Sequence, residues 1–213
     1  LFGKLALPLL GGSPSVWNVL LLFFQTMLLA GYAYAHLLCR LKLFIWQALI
    51  HSIVLLAAFI TLPIVIAGAP PAEGVPILWL LGELTVRIGL PFFAIAATAP
   101  LLQRWFTFSR HYHAHDPYFL YGLSNLGSIS ALIAYPFLFE PFLGLHDQSL
   151  IWTVAFGVLL VAIMACCGQV LLTGTKIDRA EEIISTVSVT WRQRLRWIAL
   201  AFAPSSLLLG VTT

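Results

Sequence analysis

The stretch that decides the fold is QSLIWTVAFGVLLVAIMACCGQVLL, residues 148–172, a run of 25 positions without one charged side chain. A helix needs about 20 apolar residues to cross a hydrocarbon core roughly 30 Å thick, so this run is long enough to span a bilayer. Working outward from it, apolar windows between polar breaks fall at 16–38, 43–67, 78–106, 117–139 and 195–213, with a half-length window at 1–10.

Composition agrees. The chain is 61% hydrophobic and 9% charged over 213 residues, with a mean hydropathy of +0.97. A soluble domain carries roughly 25% charged residues, so a water-soluble fold is excluded. The expectation is an all-α polytopic transmembrane helix bundle of about six to seven spans, both terminal spans incomplete. Residues 1–172 then form a six-helix bundle whose first span is partial, 173–194 a cytoplasmic connecting segment, and 195–213 the start of a seventh span. The chain begins at Leu1 and its last apolar window stops at Thr213, so it reads as a piece of a longer protein.

Charge sets the orientation. The net charge of +3 is carried by short clusters between apolar runs, namely Arg40 and Lys42, then Arg104 and Arg110, then Lys176, Arg179, Arg192, Arg194 and Arg196. Breaks on the other side offer Glu73, or Glu140 and Asp147. Positive charge concentrates in cytoplasmic loops, so the basic loops are placed there, and the basic residues act as topology signals and not as a nucleic-acid footprint. Trp191 and Trp197, flanking three arginines, make an interfacial anchor, and the mixed segment before them reads as an amphipathic surface helix.

The 78–106 window exceeds one upright crossing. Counting about 20 residues back from Arg104 puts Glu83 and Arg87 near the outer interface, spaced i,i+4 with the acid first, as a local ion pair or an outer gate. Asp116 and Pro117 combine an N-cap residue with a proline at the first helical position, a helix start. Pro91, Pro100, Pro136 and Pro204 interrupt later spans and point to kinked helices.

Two spans carry polar stripes. Asn18, Gln25, Tyr32 and His36 fall within about 40° of one line at 100° per residue, and Tyr121, Asn125, Ser128 and Tyr135 align on the span at 117–139 beside Ser124, Gly127 and Ala131. Polar groups facing lipid are costly, so both stripes should face protein or water. One reading is helix packing through small and hydroxyl-bearing residues; the other is a water-filled path for a polar solute. His51, about nine residues past Lys42, sits near mid-bilayer, where an ionisable group is either functional or a neutral ring satisfied by neighbouring helices.

Other chemistry is sparse. His111, His113, His115 and Asp116 offer metal-type ligands, but strict alternation in a loop defines no tetrahedral site. Cys39, Cys166 and Cys167 are badly spaced for disulfides and read as small packing residues. There is no dinucleotide fingerprint, phosphate-binding loop or nucleophile with base and orienting acid. No enzyme activity, cofactor or metal is expected of this segment.

The stretches GGSPSVWNVLLLFFQTMLLAGYAYAH (11–36), GLPFFAIAATAPLLQRWF (89–106), DPYFLYGLSNLGSISALIAYPFLFEP (116–141) and APSSLLLGVTT (203–213) resemble the multi-pass membrane region of bacterial fused major-facilitator and spermidine-synthase-like proteins. The resemblance implies a major-facilitator-like N-terminal half in the bacterial inner membrane. It implies that the spans at 16–38 and 117–139 border a second half and that the span at 43–67 is peripheral. CRLKLFIWQ (39–47) departs from the glycine and acidic pattern of typical carriers, and no synthase-like domain lies within the chain. The function expected is a non-catalytic membrane anchor or accessory subunit, with a carrier of a polyamine or amino acid as the alternative. Its partners are the bilayer and either other membrane subunits or the remainder of its own chain.

Overall fold

The computed structural model of the chain describes residues 3–5, 13–65, 76–107, 119–172 and 190–212. Among these there is no strand, and the longer elements are helices. In chain order they are α1 (Pro14–Leu38), α2 (Phe44–Ile60), α3 (Pro76–Phe106), α4 (Phe119–Phe142), α5 (Leu145–Leu172) and α6 (Trp191–Thr212). Four of them, α1, α3, α4 and α5, are long and apolar enough to cross a membrane. By length and composition this is an all-helical membrane protein.

Local chemistry sets the helix ends. Pro14 stands in the first turn of α1, where its missing N–H costs nothing. The window expected to run from 43 to 67 stops as a helix at Ile60. Pro63 explains the difference, because a proline disfavours helical geometry in the residue before it. The Thr61 hydroxyl donates to Ala58 O at 2.7 Å as the chain turns out of the helix. The last helix begins at Trp191, four residues ahead of the expected start at 195, because Thr190 caps it. The Gln193 side chain accepts the Thr190 N–H at 2.9 Å while the Gln193 N–H bonds back to Thr190 O at 3.1 Å. α6 belongs to a separate compact unit, residues 176–213.

The internal prolines do not break their helices. α3 runs 31 residues through a wide π-type turn at Thr85–Gly89, two residues ahead of Pro91, and α4 contains a similar turn at Tyr135–Phe139 around Pro136. A proline ring collides with the carbonyl one turn back, and a widened turn relieves that collision. Pro100 lies inside α3 with no such turn.

Within residues 1–175, α3 is the central element: α1 and α2 pack on its second half, and α5 packs on α2. One buried cluster joins Val16, Leu20 and Phe23 of α1 to Leu80, Leu84 and Ile88 of α3, with Ile64 from the segment after α2. Ser149 at the start of α5 donates its hydroxyl to Ile64 O at 2.7 Å, tying that segment to the bundle. Further along, Gly31 of α1 meets Ala96 and Ala97 of α3, and Ala35 and Ala94 on the same two helices are buried as well. Apolar side chains gain nothing by leaving lipid for another helix, so association rests on close packing, which small residues permit. A Cβ on Gly31 would stand 2.9 Å from Ala96 Cβ and 3.1 Å from two backbone atoms of α3. No residue of α4 is buried.

Candidate functional site

α1 has two sharply different sides. Its buried residues Val16, Leu20, Phe23, Gly31, Ala35 and Leu38 lie about 140–260° around the helix from Asn18. Asn18, Gln25, Tyr32 and His36 stand opposite them, and all four are exposed. His36 Nε2 accepts a 3.4 Å hydrogen bond from Arg40 Nη2, one turn on. The stripe is not purely polar: Leu22 and Leu29 share that side and are 63% and 70% exposed.

On α4, Tyr121, Asn125 and Ser128 are exposed and Tyr135 is half-buried. Ser128 returns its hydroxyl proton to Ser124 O at 3.0 Å, within the helix. Tyr135 donates to Gln148 Oε1 at 3.2 Å, linking α4 to the start of α5. Lys4 pairs with Glu140 near the end of α4. A Cβ on Gly122 or Gly127 would meet nothing within 4 Å. The two stripes are thus not packed on each other.

Outward surfaces elsewhere differ. Every exposed residue of α2 is apolar, namely Ile45, Trp46, Leu49, Ile53, Leu56, Phe59 and Ile60. The exposed positions of α5 from Leu150 to Ala165 are likewise apolar.

His51 is fully buried where α1, α2 and α3 meet. Its Nε2 lies 3.1 Å from Thr98 Oγ1, and Thr98 gives its own proton to Ala94 O at 2.8 Å. Thr98 therefore accepts, and His51 carries its proton on Nε2. One turn away on α2, Gln47 donates to Leu41 O at 2.7 Å and accepts from Trp105 Nε1 at 3.0 Å, both bonds buried or partly so. Trp105 packs edge-on against Phe44 and His51, at 5.4 and 6.0 Å between ring centroids. Tyr34 of α1 completes the cluster, 6.0 Å from the His51 ring and 5.2 Å from Phe93. Sequence reading singled out only His51. The signal for the rest was the i,i+4 pair Gln47 and His51 on one face of a very apolar span, and Thr98 and Trp105 seven apart on another.

Arg87 Nε donates to Glu83 Oε2 at 3.3 Å, beside the wide turn of α3. Both side chains are partly covered, 34% and 17% exposed, which fits a local pair at the end of the buried packing. Cys39, just past α1, is half-buried; burial pushes its thiol pKa up, and the nearby Arg104 charge opposes that rise. Cys167 is buried and Cys166 exposed. The expectations placed on His111, His113, His115, Asp116 and Pro117, and on the amphipathic helix before Trp191, lie outside the described residues.

Comparison of the chain with protein-family models, curated proteins and solved structures finds no match.

Proposed function

We propose that this chain is a non-catalytic, multi-pass module of the bacterial inner membrane. It joins or anchors a larger membrane assembly through the outward sides of α1 and α4. The supporting observation is the contrast between outward surfaces. α2, and α5 from Leu150 to Ala165, expose only apolar side chains, as lipid requires, whereas α1 presents Asn18, Gln25 and Tyr32 interleaved with exposed Leu22 and Leu29. Lipid penalises the polar members of that row and water penalises the leucines, so a mixed row fits best against protein. Ser124, Gly127 and Ala131 on α4 would let another helix approach closely. The basic clusters orient the module with Arg40, Lys42 and Arg104 in the cytoplasm.

A photo-crosslinking amino acid at 25, 32 or 125 of the full-length protein in its own membrane tests the reading, with positions 53 and 158 as lipid-facing controls. The expected result is one recurring protein adduct, identified by mass spectrometry, at the first three positions only. Adducts absent from all five positions, or equal at all five, would overturn it.

A second reading takes the same stripes as the lining of a path in a major-facilitator-like carrier of a small polar solute. In it α1 and α4 border a second half of the bundle, and α2, with its apolar outward side, is peripheral. A polyamine would want carboxylates, and α1 and the α4 stripe supply none along their length. Solute-dependent flux into proteoliposomes of the full-length protein would favour the carrier.

A further inference from the structure

Tyr34 and His51 face each other across the seam between α1 and α2, with ring centroids 6.0 Å apart. Each ends in a buried polar atom that makes no hydrogen bond to another protein group: the Tyr34 hydroxyl and His51 Nδ1. The polarity of the two is fixed independently. Thr98 spends its proton on Ala94 O and so takes the His51 Nε2–H, which leaves a lone pair on Nδ1. The neutral phenol holds an O–H to give. An orphan donor and an orphan acceptor therefore lie on two facing rings, 6.0 Å apart between centroids, in an aromatic setting where leaving either unpaired is costly.

We propose that these two atoms form a buried site for one water molecule, which accepts from the Tyr34 hydroxyl and donates to His51 Nδ1. The surroundings define the ligand. The groups that face the pair from the packed helices are Gln47 and Phe44 of α2, and Phe93, Thr98 and Trp105 of α3. None carries a negative charge, so the site offers a cation no counter-charge and a metal too few ligands. Gln47 and Thr98 have their hydrogen bonds committed elsewhere. α1 and α3 approach closely at Gly31, one turn from Tyr34 on the same helix. A neutral molecule that both gives and accepts, and is no larger than water, fits these limits.

The test uses the full chain with ¹⁵N-labelled histidine in lipid nanodiscs, the His51 signals being identified by their loss in His51→Gln. The wild type should show a through-space cross-peak between the His51 ring protons and a slowly exchanging water. Its Nδ1 shift should be that of a hydrogen-bonded acceptor. In Tyr34→Phe, which preserves ring volume, the cross-peak should be lost and Nδ1 should move toward a free lone pair. A hydrogen-bonded Nδ1 without any water cross-peak would mean direct contact with Tyr34 and overturn the proposal. So would a free lone pair in the wild type, or a cross-peak unchanged in Tyr34→Phe. The wild-type spectrum alone decides the matter if that variant does not fold.

Discussion

Gly31→Val probes the closest approach in the bundle. A Cβ at this position would lie 2.9 Å from Ala96 Cβ and 3.1 Å from both Ala97 N and Phe93 O. Carbon–carbon contacts are most favourable at about 3.5–4.0 Å, so the helices must part by roughly 0.6–1 Å, which forfeits a quarter to a half of each contact energy along the seam. The neighbours on the α3 side are a methyl and two backbone atoms, none of which can swing aside. Overpacking of this kind costs about 1–3 kcal/mol, and valine regains only a few tenths over glycine from helix propensity. The net expectation is a loss of about 2 kcal/mol. Reversible unfolding in mixed micelles with increasing denaturing detergent measures it, with Gly127→Val as the control because a Cβ there meets nothing within 4 Å. If Gly31→Val proves as stable as the wild type, or loses no more than the control, the α1–α3 seam is not packed as described.

The cluster around His51 gives a second expectation. Gln47→Met removes the acceptor of the Trp105 N–H and the donor to Leu41 O, and should cost about 1–2 kcal/mol in the same assay, since a buried N–H is left unpaired. Glu83→Gln should cost under about 1 kcal/mol, because its pair with Arg87 is partly exposed. Less of the reactive thiolate exists at neutral pH when a thiol pKa is raised, so Cys39 should react slowly with a maleimide compared with a free cysteine, its rate profile displaced to higher pH. Arg104→Gln removes the charge that opposes this rise and should displace the profile further in the same direction.

Helices α1, α3, α4 and α5 were legible as apolar windows, because the length needed to cross a bilayer leaves a long, uninterrupted signal. Their ends were less so. Ile60 closes α2 early because one proline at 63 outweighs the apolar residues around it, and the Thr190 cap starts α6 before its apolar run begins. The stripes on α1 and α4 could be drawn from spacing alone, since residues on one helix keep their angles whatever surrounds them. Their neighbours could not: α1 buries the side opposite its stripe, and α4 buries nothing. The cluster around His51 was hidden for a related reason. Its bonds join residues 47 and 58 positions apart, and no single-helix pattern reports which faces meet.

That sequence separation has a consequence for biogenesis. Thr98 emerges from the ribosome 47 residues after His51, which at about 5–20 residues per second is an interval of roughly 2–10 s. Through that interval α2 must hold an imidazole and the Gln47 side-chain carbonyl before Thr98 and Trp105, the partners that satisfy them, exist. Unpaired polar groups make early release of α2 into lipid costly, so α1, α2 and α3 are expected to enter the lipid as a group.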